Sequence, residues 1–228
     1  MNNQVMTKLI MIACMLILCT APAQAQDWQQ MTSPVTTPLK AIWGTDTNNL
    51  YAVGSAGVII RYNGSAWTSV TGIDITTELR GIHGTKSSNI VAVGAGGIVL
   101  QYNGTTWSKR SMEISQNLNA VWVTSASDLF IAGESGVILE CDQSSCTQNR
   151  YLTDYSLNAL WGASADDVYA VGGGGTILHY DGTGWSAMTS NTTETLYEIW
   201  GAAANDIFAV GANGTILHYN GTVWTPQK

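Results

Sequence analysis

An all-β fold, a five-bladed β-propeller of four-stranded antiparallel blades, is predicted by three observations. The chain repeats itself five times at a spacing of 39 to 40 residues. Each repeat reads as four short strands separated by glycine-bearing turns. The composition is turn-rich, with 24 Gly against 4 Pro in 228 residues and only 11% charged side chains, which excludes disordered and collagen-like classes.

The first element is a leader. Residues 1–25 have a basic n-region at Lys8, an apolar run over residues 9–19 and a small-x-small site at Ala23-Gln24-Ala25, the pattern of a cleaved signal peptide. The apolar run is about half of the ~20 residues a membrane span needs, so no membrane insertion is expected after cleavage. A lipidated Cys19 is disfavoured by Leu18 before it. The leader has a bacterial look, and the expected location is secreted or periplasmic. Nine basic side chains less Lys8 leave eight against sixteen acidic ones, a net charge of −8. That charge argues against nucleic acid and anionic lipid as partners, since both require a Lys/Arg patch.

The repeats follow, as one domain over residues 26–228 with units at about 32–70, 71–110, 111–149, 150–188 and 189–228. Leu39-Lys40-Ala41-Ile42-Trp43-Gly44 recurs over residues 79–84, 118–123, 157–162 and 196–201, and Trp67, Trp107, Cys146, Trp185 and Trp224 close the units. Within a unit, the Leu-x-x-Ile-Trp-Gly string is the first strand. The second, such as Asp167-Val168-Tyr169-Ala170-Val171, opens after an Asn or Asp suited to a turn. A Gly-x-x-Gly turn leads to the third strand, and Asn-Gly or Asp-Gly marks a hairpin into the fourth. The strands are apolar on both faces, as sheets sandwiched between neighbours must be. A linear β-solenoid is the structural alternative. The fourth-strand pattern also occurs early, at Trp28-Gln29-Gln30-Met31. Because Pro226 deprives the C-terminal copy of a donor, residues 26–32 are expected to join the last blade and close the ring.

The string from Tyr169 to Trp185, Tyr-Ala-Val-Gly-x-x-Gly-Thr-Ile-Leu-His-Tyr-Asp-Gly-x-x-Trp, resembles secreted bacterial β-propellers. It is similar to the repeats of the photosystem II stability/assembly factor and to sialidase-type Asp-box propellers. The resemblance spans all five units and implies the propeller fold. Propellers host lectins, hydrolases and scaffolds alike, so it implies no single function.

Among chemical candidates, Cys141 and Cys146 take the places held by Tyr62 and Trp67 in the first unit. Across a hairpin these positions face each other within disulfide range, and a local staple is expected in preference to a redox pair, because nothing basic flanks them. Trp43, His83, Trp122, Trp161 and Trp200 form a ring of aromatics that either stacks on a ligand or packs between blades; packing is the expectation. Glu140, His179 and His218 share a strand position, but equivalent positions of adjacent blades are too far apart, at ~10 Å between packed sheets, for one metal ion. Asp46, Asp128, Asp167 and Asp206 stand near second-strand starts, where turn capping is the ordinary role. Inner-strand polar positions, Lys40, Arg80, Asn119, Asn158 and Tyr197, are the candidate ligand contacts, with Glu198 the one acid beside them. Paired carboxylates for glycoside hydrolysis are therefore not expected, and the Gly-rich turns join strands where a phosphate loop opens a helix. No cofactor is called for.

Between residues 161–185 and 200–224, 17 of 25 aligned residues are identical, which favours repeated shallow surfaces over one asymmetric catalytic constellation. Variation gathers in the segments leading into each first strand, residues 32–38, 71–78, 111–117, 151–156 and 190–195, which should share a rim with the Gly-x-x-Gly turns. The expectation is a non-enzymatic binding or assembly module that recognises a protein partner at the cell envelope. A lectin-like glycan binder is the alternative.

Overall fold

A computed structural model describes residues 30–125, 127–142, 145–149 and 152–227. All strands belong to the unit Ser33–Lys228. The first blade consists of β1 (Leu39–Asp46), β2 (Asn49–Gly54), β3 (Ile59–Tyr62) and β4 (Trp67–Ser69). The second has β5 (Leu79–Lys86), β6 (Asn89–Gly94), β7 (Val99–Tyr102) and β8 (Trp107–Arg110), and the third β9 (Leu118–Val123), β10 (Leu129–Gly133), β11 (Ile138–Cys141) and β12 (Cys146–Asn149). β13 (Leu157–Ser164), β14 (Asp167–Gly172), β15 (Ile177–Tyr180) and β16 (Trp185–Met188) make the fourth. The fifth is β17 (Leu196–Ala203), β18 (Asp206–Gly211), β19 (Ile216–Tyr219) and β20 (Trp224–Pro226). Each blade is an antiparallel meander in chain order, so the protein is a five-bladed β-propeller with the first strand of each blade innermost. Among the described residues no helix is long and apolar enough to cross a membrane.

Sheets with two apolar faces are covered by one another. Leu79, Leu118, Leu157 and Leu196, which open the inner strands of blades two to five, are fully buried, each contributing about 2 kcal/mol. First-strand rings supply the rest of the fit. At Gly84, Gly162 and Gly201 an added Cβ would stand 2.8, 2.6 and 2.7 Å from the indoles of Trp43, Trp122 and Trp161 of the preceding blade. His83 breaks the pattern, and so does its partner: the next blade has Val123 where the others have glycine, and the Val123 N–H donates to His83 Nδ1 at 2.9 Å. The shorter ring leaves room for the larger residue. His83 also stacks on Trp122 with centroids 4.2 Å apart. The packing expectation for the aromatic ring therefore holds at four positions and fails at Trp200, which is 62% exposed against 7% for Trp161.

Cys141 and Cys146 are paired in register and bonded, with Cα atoms 4.0 Å apart. They replace the stacked pair that Tyr102 and Trp107 make in the second blade. One expectation is corrected. The outer place of the fifth blade belongs to β20: Trp224 pairs with Tyr219 and is 1% exposed, and the Gln227 N–H donates to the Ile216 carbonyl at 2.8 Å. Pro226 is tolerated because an outermost strand needs ladder bonds on one side only. Residues 26–29 of the segment expected there lie outside the described residues, and residues 30–32 form no strand.

Gly162→Val places methyl groups against the Trp122 indole and should cost about 1–3 kcal/mol in urea unfolding. Gly184→Ala, where an added Cβ meets nothing within 4 Å, should stay within about 0.5 kcal/mol of wild type.

Candidate functional site

Of the concave surfaces that offer polar groups, two hold the sequence-predicted contacts and variable loops: the cavity between the inner strands and the rim of leading loops. The cavity, of about 390 Å³, is lined from all five blades, by Lys40, Arg80, Asn119, Asn158 and Glu198 among others. Their inward aim has a local cause. In every blade the inner ladder slips by one residue just after the opening leucine, so that Lys40, Arg80, Asn119, Asn158 and Tyr197 are the extra residues of β-bulges. A bulge leaves its residue unpaired and turns its side chain out of the strand's alternation. The sequence shows these five as a polar column, but not the bulge that makes them one.

Four of the five predicted contacts are thus brought together; Tyr197, 58% exposed, does not line the cavity. Their polar atoms are engaged between blades. Asn119 and Asn158 donate through Nδ2 to the carbonyls of Leu157 and Leu196 at 2.9 and 2.7 Å, each reaching the opening leucine of the following blade. Arg80 donates to Glu78 at 2.9 Å, and to Asn119 Oδ1 and Glu134 at 3.0 Å. Lys40 Nζ lies 3.4 Å from Glu78. Arg80 therefore holds Glu78 below the usual carboxylate range, and Asn117 with Arg80 does the same for Glu134. Neither acid was recognisable beforehand, because one comes from a leading loop and the other from a Gly-x-x-Gly turn. Burial acts oppositely on Glu198, raising its pKa.

The remaining titratable candidates resolve within or between blades. His179 Nε2 sits 2.7 Å from Asp167 Oδ1 and His218 Nε2 2.8 Å from Asp206 Oδ1. Those two aspartates tie second strand to third, a role that replaces the turn capping expected of them. Capping holds for Asp46, which accepts from the Asn48 N–H at 2.8 Å. Glu140 accepts from the Tyr180 hydroxyl of the next blade at 3.1 Å.

The rim is built by the Gly-x-x-Gly turns and the leading loops together, as the sequence suggests. Each turn N–H bonds its own blade's leading segment, Ser55 to Pro38, Ala95 to Glu78, Glu134 to Asn117, Gly173 to Ser156 and Ala212 to Thr195. The last glycine of the turn, at positive φ, presses on the leading loop of the following blade: a Cβ on Gly57, Gly97, Gly136 or Gly175 would collide with the carbonyl of Ile75, Ile114, Thr153 or Thr192. Between the leading loops of the fourth and fifth blades this construction leaves a groove of about 810 Å³. Thr153, Tyr155, Ser190, Thr192 and Glu194 form its walls and Ile177 and Met188 belong to its apolar lining, while the Tyr155 ring is 58% exposed over the Gly173-Gly174 backbone. Hydroxyls and an aromatic beside an apolar patch suit an extended peptide or a sugar.

Comparison with known proteins finds likeness in fold. No protein-family model and no curated protein sequence matches the chain. Among solved structures it is similar to YCF48 bound to D1 peptide, with a TM-score of 0.51 and 13% identity over 90% of this chain and 85% of that one. It is also similar to YCF48 from Cyanidioschyzon merolae, with a TM-score of 0.64 and 14% identity over 84% and 72%. The WD40 propeller domain of Doa1 gives 0.65 at 8% identity over 82% and 66%. Such low identities establish the propeller and nothing finer.

His83 provides a test of the inner ring. Burial pushes its pKa from 6.5 down to about 4, and Nδ1 is occupied as an acceptor. Between those values the unfolded chain binds a proton that the folded chain refuses. The stability contributed by His83 is therefore complete above about pH 6.5 and is lost as pH falls to about 4, on the order of 3 kcal/mol. Urea melts of wild type and His83→Gln should show the variant weaker at pH 7 and flatter in its response to acid.

Proposed function

We propose that the protein is an exported, non-enzymatic binding or assembly module, and that it takes a protein partner at the cell envelope through the rim loops. The observation that carries this reading is the contrast between the two concave surfaces. In the cavity, Arg80, Asn119 and Asn158 are spent on holding blades together, and the acids beside Arg80 are ion-paired. At the rim the groove between the fourth and fifth leading loops presents the exposed Tyr155 over apolar lining, and its hydroxyls bond locally, Ser190 to the Thr192 carbonyl and Thr153 with Thr176, on a scaffold whose backbone is fixed by the turn contacts. Rigid support with variable polar loops is how recognition surfaces are built. The similar fold of YCF48 bound to D1 peptide supports a peptide as occupant, and the leader at residues 1–25 supports export. The acidic balance favours a partner with a basic segment, through electrostatic steering.

Purified protein screened against a displayed-peptide library and a glycan array separates this reading from the lectin-like one. The expected result is a peptide ligand whose affinity drops at least tenfold, about 1.4 kcal/mol, with Tyr155→Ala at an unchanged melting temperature. Reproducible sugar binding that is lost with Tyr197→Ala, or peptide binding indifferent to Tyr155, would replace the proposal.

A further inference from the structure

One interface recurs four times along the chain, and its parts are regular enough to show what is unmatched at the two ends. A first-strand ring of one blade rests on the Gly of the next, as Trp43 on Gly84, Trp122 on Gly162 and Trp161 on Gly201. The opening leucine and the apolar residue three beyond it bury against the preceding blade, as Leu79 and Ile82 or Leu196 and Ile199 do. The turn glycine of one blade abuts the leading loop of the next.

Both ends of the series leave half of this interface open. On the fifth blade Trp200 is 62% exposed, and Phe208, Val210 and Ile216 are exposed where Tyr169, Val171 and Ile177 of the fourth blade are buried. At Gly214 an added Cβ would meet nothing within 4 Å, unlike its four counterparts. On the first blade Leu39 is 42% and Ile42 61% exposed, although the opening leucines of the other four blades are fully buried. A Cβ added at Gly44 would first meet Leu50 and Asn49 of its own blade, where Gly84 and Gly201 have an indole of the preceding blade within 3 Å. Consecutive first strands pack extensively against each other, and β1 and β17 do not.

We propose that these halves are one more copy of the same interface, made between two copies of the chain: the Trp200 face of one seats on the Gly44 face of the other. The occupant is identified by its match to the recurring contact. An indole at this register is always met by glycine, a histidine by valine, and blade one offers Gly44 to an unmet Trp200. The faces are apolar, with Leu39 and Ile42 on one side and Trp200, Phe208, Val210 and Ile216 on the other, a patch chemistry that marks an interaction surface. Glu198 is the departure, standing where the other blades have Ala41, Gly81, Ala120 and Ala159. The contact joins unlike faces, so it is heterologous, and two copies close on each other or further copies add head to tail.

Light scattering and sedimentation equilibrium on the full chain test this directly. Wild type is expected to be a dimer or larger and to dissociate on dilution, and Glu198→Ala to associate more tightly. Trp200→Asp and Ile42→Asp alter exposed side chains, should melt as the dilute, dissociated wild type does, and should each be monomeric alone. Mixed in equal amounts they should form a dimer, because each retains the half the other lacks. A wild type that stays monomeric at every concentration would overturn the proposal, leaving closure within one molecule. A mixture of the two variants that stays monomeric, or variants that dimerise alone, would overturn the head-to-tail geometry.

Discussion

Every blade is a small sheet with two apolar faces, and neither face is stable in water until another sheet covers it. What lets two blades approach closely enough is the seat of an indole on a glycine backbone: Trp43 on Gly84, Trp122 on Gly162, Trp161 on Gly201. A methyl group at any of those glycines would hold the sheets apart, and interiors packed to crystal-like density tolerate little of that. The exchange of Trp for His at 83 together with Gly for Val at 123 keeps the summed volume of the contact and adds a hydrogen bond. It also places an ionisable ring between blades, where it must stay neutral.

The polar features follow from this packing. Blades pressed together at the centre bring their bulged residues within reach of one another, and Asn119, Asn158 and Arg80 then serve as bolts from one blade to the next. A buried or half-buried polar group is costly unless bonded, so side chains that reach a neighbouring carbonyl are committed to it. This is why the polar cluster between the inner strands is tied up in bonds from blade to blade, in contrast to the rim. There the turn glycines clamp the leading loops to the scaffold, leaving the loop side chains as the variable part.

Legibility in the sequence tracked the range of the forces involved. The strands, turns and unit length were readable because short apolar runs bounded by Asn-Gly or Gly-x-x-Gly turns, repeated every 39 to 40 residues, are marked within a few residues. The Cys141–Cys146 bond was readable for the same reason, since the hairpin alone sets the two side chains opposite each other. Less was visible wherever partners are remote in the chain. Arg80 meets Glu134 across 54 positions and the two acids around it carry no local mark. Asp167 and Asp206 look like turn caps until their strand partners, His179 and His218, are placed beside them. Pro226 counted against β20 as an outer strand, whereas its one-sided hydrogen bonding makes the proline harmless.

By itself the sequence determined the repeating unit, its four strands, its turns and the number of units, because each of those is decided by short apolar runs and turn-forming backbone preference within about forty residues. Only the tertiary structure decided how the units meet: which glycine receives which ring, which polar residues are consumed as bolts, and which two faces remain open at Trp200 and Ile42. Those outcomes depend on the angle and spacing between whole sheets, a sum of many contacts that no single repeat contains.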